Sequence, residues 1–223
     1  MRILVTAGAT QEPMDSVRYI SNISTGRTGA CLSEEFCRKG AQVVHLAGLQ
    51  AWAPEAHDQL KLIRFSSFGD LQRLLSELLS QTPFDAVIQS AAVSDYSMEH
   101  PQMGKLSSDP EEMILKLKRN PKLIHQIKSL SNHPGVQIVA FKLTHTPDLE
   151  LRMNAIQKLS LRSDIQLVVH NDLSEIQSPD HHPFHLYRGA ERVQSVMNAR
   201  ELAQLLFQEL SQRRVSMTPH AQT

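Results

Sequence analysis

The 223-residue sequence has no excess of charge of either sign, with 23 Lys and Arg against 23 Asp and Glu. A chain without a net field offers nothing to draw in nucleic acid or an anionic membrane surface, so neither partner is expected. No stretch approaches the ~18 uninterrupted apolar residues of a membrane span. The amino terminus lacks the basic segment and cleavage site of a secretory signal and enters an apolar run, Ile3-Leu4-Val5, almost at once; a cytoplasmic protein is expected. Cysteine is scarce. Cys31 and Cys37 stand six residues apart, on roughly opposite faces of one predicted helix, which argues against a disulfide or a zinc site and for buried packing. The Gly-x-Gly-x-x-Gly of nicotinamide dinucleotide folds and the Walker A loop are both missing.

What is present is an alternation of strands and helices. Apolar runs predict strands at Arg2–Ala7, Gln42–Leu46, Lys61–Phe65, Asp85–Ser90, Val136–Leu143 and Ile165–Val169, with a short one at Met113–Lys118. Leu71, Leu74, Leu75, Leu78 and Leu79 fall at i, i+3, i+4, i+7 and i+8, an amphipathic helix. Further helices are predicted over Arg27–Lys39, closed by Gly40; over Pro121–Leu130; from a Thr146-Pro147-Asp148 cap to about Ser163; and over Ala199–Arg213. Phe184–Tyr187 and Arg192–Val196 read as a hairpin. The expectation is one α/β domain over 1–213, Rossmann-like and doubly wound in three layers, with a mostly parallel sheet and a C-terminal hairpin extension; Arg214–Thr223 is expected to be a frayed tail. At this length roughly 70% of the unfolded surface can be buried.

In such sheets ligands bind beyond the carboxyl ends of the strands, at Gly8 to Asn22, Ala91 to Asp95, Phe141 to Leu143 and Asn171-Asp172. The stretch from Gly8 to Gly29 is far longer than the ~2–6 residues that usually join a strand to its helix. It carries Glu12, Asp15, Arg18 and Asn22, groups that can bind or orient something polar, and ends in Ser24-Thr25-Gly26-Arg27-Thr28-Gly29. Glycines at a helix start let backbone N–H groups approach a phosphate, or they merely permit a turn; both readings stay open. Lys158 and Arg162, at i and i+4, repel one another by ~0.2–0.5 kcal/mol unless an anion lies between them, and the plainer reading has both on a solvated face. Lys105, in an irregular stretch, either closes over a ligand or serves solubility. His181-His182-Pro183-Phe184-His185 has no carboxylate or cysteine spacing to complete a metal site and is expected at the surface.

Together these motifs resemble phosphopantothenate–cysteine ligase (phosphopantothenoylcysteine synthetase). The stretch Gly8-Ala9-Thr10-Gln11-Glu12-Pro13-Met14-Asp15-Ser16-Val17-Arg18-Tyr19-Ile20-Ser21-Asn22-Ile23-Ser24-Thr25-Gly26-Arg27-Thr28-Gly29 is similar to that family's Gly-Gly-Thr-x-Glu-Pro-Ile-Asp-x-Val-Arg-x-Ile-x-Asn-x-Ser-Ser-Gly-Lys-x-Gly. Ala91-Ala92-Val93-Ser94-Asp95-Tyr96, Lys105-Leu106-Ser107-Ser108, Asn120-Pro121-Lys122-Leu123, Phe141-Lys142-Leu143 and Asn171-Asp172 recur in the family's order, and the likeness runs from about residue 1 to 210. The Phe-Lys-Leu and Lys-x-Ser-Ser forms resemble the stand-alone bacterial enzymes, and no flavin is expected.

The resemblance implies a ligase of coenzyme A biosynthesis that uses CTP, or ATP as in the eukaryotic relatives, with Mg²⁺. The carboxylate of 4′-phosphopantothenate attacks the α-phosphate, pyrophosphate leaves, and the cysteine amine then displaces CMP from the acyl-nucleotide. It implies that Lys105 and Asn22 are catalytic, Lys105 on the charged phosphorus and Asn22 on the acyl-phosphate. Gly8, Gly26, Gly29, Ala91, Asp95, Lys105, Phe141, Lys158 and Arg162 would bind nucleotide, while Asn22 and Ala92 would touch the acid substrate; metal ligands stay unassigned. A homodimer is implied, with Phe184–Val196 as the candidate contact. Ala9, Thr25, Arg27 and Arg162 depart from the family's Gly, Ser, Lys and Lys, and leave nucleotide choice open.

Two rivals remain. A nicotinamide reductase of the short-chain type would need Tyr-x-x-x-Lys, but Tyr19, Tyr96 and Tyr187 are followed four residues on by Ile23, His100 and Glu191. A non-catalytic nucleotide-binding module would keep the loop, with no reason to keep both Lys105 and Asn22.

Overall fold

The computed structural model describes residues 1–217, with side chains through Gln212. β1 (Arg2–Ala7) leads into a small antiparallel hairpin, β2 (Gln11–Pro13) and β3 (Tyr19–Ser21), then α1 (Arg27–Arg38), β4 (Gln42–Gly48), β5 (Leu60–Phe65), α2 (Phe68–Gln81) and β6 (Ala86–Gln89). A second small antiparallel pair, β7 (Tyr96–Met98) and β8 (Leu117–Arg119), precedes a 3-10 turn at Leu123–His125 and α3 (Ile127–Leu130). β9 (Gln137–Thr144), α4 (Leu149–Ser160) and β10 (Leu167–Asp172) follow. After a 3-10 turn at Leu173–Glu175 come β11 (Phe184–Arg188), β12 (Glu191–Val196) and α5 (Ala199–Met217).

Eight strands form one sheet in the order β12-β11-β10-β9-β6-β1-β4-β5, parallel from β10 to β5 and antiparallel at β11 and β12. β1 lies inside it. Ile3, Leu4 and Val5 expose nothing; Ile3 and Val5 pack with Leu32 and Phe36 of α1 and Leu202 and Leu206 of α5. Leu4 faces the other way, into the cluster of Leu71 and Leu75 of α2, Ile127 of α3 and Ile156 of α4. A strand covered on both faces has to be apolar at successive positions, which is why this run carries no polar alternation.

The chain turns one way from β1 to β4 and β5 and the other way to β6, β9 and β10, so a topological switch lies between β1 and β6. The crevice beyond their carboxyl ends is where such sheets take ligands. Close packing sharpens it. Gly29, in the first turn of α1, is so near β1 that a Cβ there would lie 2.4 Å from Ala7 Cβ.

Several boundaries differ from the sequence expectation. The long loop after β1 contains the β2–β3 hairpin, and the irregular stretch after β6 begins with β7. The weak strand expected at Met113–Lys118 is instead the three-residue β8, Leu117–Arg119. The helix expected over Pro121–Leu130 breaks into a 3-10 turn and the four-residue α3. Its first residues are held elsewhere: Asn120 N donates to Asp95 O, Lys122 pairs with Asp95, and Lys122 is extended. α5 continues through Met217, four residues into the expected tail, and 218–223 lie outside the described residues.

Gly29→Ala is expected to lower stability by about 1–3 kcal/mol in a denaturant melt, because overpacking against β1 outweighs the helix-propensity gain. Pairing it with Ala7→Gly, which removes the colliding methyl, is expected to recover part of that loss. A neutral Gly29→Ala would show that α1 can lift off the strand at no cost.

Candidate active site

The loops beyond β1 and β6 are sewn together. Thr6 and Thr10 have no exposed surface, and their hydroxyls accept from Ala91 N at 3.2 Å and Ser94 N at 2.9 Å. Ala92 N donates to Gly8 O and Thr10 N to Ala92 O, a parallel bridge between Ala9 and Ala92. Asn22, just past β3, sends its side-chain amide to Ala92 O at 3.3 Å. Gly8, Ala91, Ala92 and Asn22 therefore share one small patch of the rim.

The glycines belong to the same patch. Gly8 and Gly26 adopt φ of 79° and 73°, and a Cβ on either would fall within 3 Å of Ala51 Cβ, in the turn after β4. They serve close backbone packing as well as a turn. Gly26 is the N-cap of α1 and, having no side chain, makes no cap bond; of the first turn's N–H groups Arg27 N reaches the Thr25 hydroxyl, a long bond at 3.4 Å. A helix start left like this suits an anion. Arg27 lays its guanidinium 4.2 Å over the Trp52 ring, a contact that makes use of arginine's planar head.

Glu12 and Asp15, taken from sequence as groups free to orient a ligand, are committed to the protein. Glu12 is buried and accepts from Phe68 N, at the start of α2, and from the Ser97 hydroxyl of β7. Asp15 accepts from Val17 N, Arg18 N, the Arg18 guanidinium and Leu106 N. Arg18 and those amides hold its carboxyl well below the usual carboxylate range. Through these bonds the stretch carrying Lys105 docks against the tip of the β2–β3 hairpin, whose far end carries Asn22. Three residues of strand separate tip from base, about 10 Å at ~3.3 Å per residue.

The remaining expected residues lie around this centre at different removes. Asp95 follows β6 and pairs with Lys122, both about half exposed. Phe141, on β9, is partly buried and packs on the α1–α5 side of the sheet. Lys158 is exposed in the last turn of α4, with no hydrogen bond or ion pair among the described residues. Arg162 does not share an anion site with Lys158 here: its Nε and Nη2 grip Asp164 at 3.0 and 2.9 Å. Arg162 also helps lower the pKa of His125, after burial, so its charge reaches the 3-10 turn that follows Lys122.

Two sequence expectations change. Asp172 has no exposed surface; burial opposes its charge, but bonds from Ser174, Thr144 and Thr146 keep its carboxyl well below its usual range, so it pins the β9–α4 loop rather than meeting a ligand. The histidine run is half-buried, not surface. His182 stacks on Phe184 at 4.2 Å and bonds the Asn171 amide, and His185 sits between Ser195 and Glu175. His181 and His185 line a cavity of ≈ 870 Å³ between α4 and β10–β12, away from the glycine patch. Among the described residues no three His, Cys, Asp or Glu side chains converge to hold a metal. No described helix is long and apolar enough to cross a membrane.

Comparison with known families settles the kinship. Residues 1–213 match the model of the DNA/pantothenate metabolism flavoprotein C-terminal domain. The chain belongs to this family. It is 34% identical over 176 residues to the Coenzyme A biosynthesis bifunctional protein CoaBC of Methanocaldococcus jannaschii, 78% of this chain and 41% of that protein. It is 32% identical over 209 residues to the Thermococcus kodakarensis protein of the same name, 94% of this chain and 50% of that one. The chain thus spans about half the length of these curated relatives. Among solved structures it is similar to the DNA/Pantothenate Metabolism Flavoprotein from Streptococcus pneumoniae, at 29% identity and a TM-score of 0.85, covering 96% of this chain and 99% of that one. A Cab2 mutant in complex with phosphopantothenate-cysteine shares the fold at 18% identity and a TM-score of 0.77, covering 100% of this chain and 89% of that one. The family's C-terminal domain is the mostly parallel α/β sheet described above.

His45 and His170 give the fold a pH dependence. Burial, with the Arg64 charge near His45 and His185 near His170, lowers both to about 4. Between pH 6.5 and about 4 the unfolded chain takes up protons that the folded chain refuses, so stability falls as pH falls through that window. Denaturant midpoints are expected to show a loss of about 2 kcal/mol per histidine between pH 7.5 and 5. His45→Gln is expected to remove part of that slope, and a flat profile in the parent would contradict the assignment.

Proposed function

We propose that this chain is a phosphopantothenate–cysteine ligase, forming an acyl-nucleotide from 4′-phosphopantothenate and a nucleoside triphosphate and passing the acyl group to cysteine. Membership of the family, the names of its relatives and the fold shared with a phosphopantothenate-cysteine complex support this reading. The observation that carries it is the placing of Asn22 and the Lys105 stretch on two ends of one hairpin, beside the uncapped start of α1.

In this reading the triphosphate lies over Gly8, Gly26 and Gly29, where backbone N–H groups and the helix dipole offset its charge. Ala91 and Asp95 meet base or ribose, and Phe141 packs on the nucleotide. Attack of the acid carboxylate on the α-phosphate gathers negative charge on phosphorus, and the Lys105 ammonium stabilises it as pyrophosphate leaves. Asn22 and Ala92 hold the acyl-phosphate while the cysteine amine attacks the acyl carbon and the nucleoside monophosphate departs. Lys158 holds the outer phosphates; Arg162 joins it only by loosening its hold on Asp164. Magnesium is expected as the triphosphate's counter-ion, but the described residues do not assemble a carboxylate site that fits it, and no step here depends on it. The nucleotide proposed is CTP, with ATP as the alternative, and a cytoplasmic location belongs to the same reading.

A homodimer is also proposed, and the two insertions offer more exposed apolar surface for it than the hairpin the sequence suggested. β11 and β12 are integral to the sheet, and Phe184, Leu186, Tyr187 and Val196 are buried within it. Exposed apolar side chains occur elsewhere too, Trp52, Leu149 and Leu161 among them, but the three most exposed, Met103, Ile23 and Ile114, at 102%, 101% and 91%, are in the two insertions, which also expose Val17, Tyr19 and Tyr96. Apolar side chains this exposed make the insertions the candidate contact.

With phosphopantothenate and Mg²⁺, purified protein is expected to release pyrophosphate from CTP faster than from ATP, and only when the acid is present. Lys105→Gln is expected to cut that release by about 10²–10³-fold, whereas Asn22→Asp lets acyl-nucleotide accumulate. Acid-independent release, or variants that match the parent, would refute the roles. Ile23→Glu is expected to shift the sedimentation coefficient from dimer towards monomer; a parent that sediments as a monomer would refute the dimer.

A further inference from the structure

Lys105 lies in a long excursion between β7 and β8, most of it exposed, yet its neighbourhood is gripped firmly. Leu106 N donates to Asp15 Oδ2 at 2.9 Å, and Leu106 O accepts from Arg18 Nη2 at 2.8 Å. On the other side of Lys105, Gly104 O accepts from Ser16 N at 3.2 Å, and Gln102 N donates to Met14 O at 3.1 Å. The two peptide groups flanking Lys105 are thus both held, one by Ser16 and the other by Asp15, with Met14 and Arg18 adding a bond on either side, while the Lys105 side chain makes no hydrogen bond or ion pair among the described residues.

The grip is built to last. The Asp15 side chain has no exposed surface and accepts five hydrogen bonds, two from the Arg18 guanidinium at 2.9 and 2.6 Å. A buried, charge-assisted pair of this kind fixes direction as well as distance. Arg18 cannot swing away without leaving the Asp15 charge unpaired. Nothing else in the described excursion has such an anchor: Ser107 bonds only Asp109 two residues on, and the Lys116–Glu99 pair closes the base of the excursion rather than its tip.

We propose that Asp15 and Arg18 are positioning residues that clamp the Leu106 peptide and so aim the Lys105 ammonium at the reacting phosphorus. The proposal rests on the ligase reading for what Lys105 does, but the clamp itself is a property of the chain. Because the hairpin that bears the clamp at its tip bears Asn22 past its base, the clamp also fixes how far the lysine stands from the asparagine amide.

Asp15→Asn keeps the shape but sets an uncharged amide against Leu106 N and Arg18. In single-turnover reactions with CTP and phosphopantothenate it is expected to slow pyrophosphate release about 100-fold, with the half-saturating CTP concentration changed less than about threefold. The Leu106 amide, followed by hydrogen exchange, is expected to lose protection. Asp15→Asn combined with Lys105→Gln is expected to be no slower than Lys105→Gln alone, since a clamp has nothing left to aim. Leu106→Pro removes the clamped N–H without touching Asp15, though it also replaces the Leu side chain and narrows the backbone of Lys105, and so guards against misfolding of the Asp15 variant; it is expected to slow the reaction at least as much at an unchanged melting temperature. Losses that multiply in the double variant, unchanged Leu106 exchange in Asp15→Asn, or full rates in Leu106→Pro would overturn the clamp. A parent that makes no acyl-nucleotide would instead sink the ligase reading, and Leu106 exchange alone would then decide the clamp.

Discussion

Everything at the crevice depends on two buried threonine hydroxyls. Thr6 and Thr10 stand at the end of β1 and just past it, at the point where the chain's two halves part company. Strand order alone leaves the loops after β1 and β6 as neighbours with no reason to keep a fixed relation. Thr6 Oγ1 takes Ala91 N and Thr10 Oγ1 takes Ser94 N, while the Ala9–Ala92 bridge adds two backbone bonds between them. Each amide, left unmet in the interior, would cost about 1–3 kcal/mol. The sheet's hydrogen bonding therefore continues past its own strands, and the rim is an extension of the sheet rather than a pair of loose connections. Gly8, Ala91, Ala92 and Asn22 inherit their mutual positions from it.

The layers were legible from sequence because the physics that builds them is local and repetitive. Leu71, Leu74, Leu75 and Leu79 mark one helix face at a 3.6 period, and all four are buried. The run Ile3-Leu4-Val5 had the unbroken apolarity that only a doubly covered strand needs. Asp148 read as a cap and accepts from Glu150 N and Leu151 N. The resemblance of the Gly8–Gly29 stretch carried the rim, since no periodicity could have brought Asn22 to Ala92 across seventy residues of chain.

What escaped had non-local causes. β2, β3, β7 and β8 are three residues each, too short for alternation to register, and they exist because Gln11 N reaches Ser66 O and Glu12 reaches Ser97. Pro121 suggested a helix start, but Asp95 captures the residues on either side of it, and Lys122 is extended. Asp15 and Arg18 looked like ligand groups because charge near a glycine loop has no other evident use in one dimension. Only the fold shows Leu106 waiting for them. Arg162 has a similar history: spacing drew attention to Lys158, while the partner it holds, Asp164, is only two residues on.

The two insertions are put together by a logic different from the sheet that carries them. Their large apolar side chains, Val17, Tyr19, Ile23, Met103 and Ile114, point outward, so no local core organises them. Buried carboxylates take that part. Glu12 ties β2 to the first N–H of α2 and to β7, and Asp15 ties the hairpin tip to Leu106. A carboxylate can accept from several donors at fixed angles, whereas apolar contact is non-directional and tolerates sliding. An assembly meant to hold an ammonium and an amide at a set separation gains more from direction than from area. The same arrangement leaves the apolar residues of the insertions exposed, outside the bonds that hold Leu106.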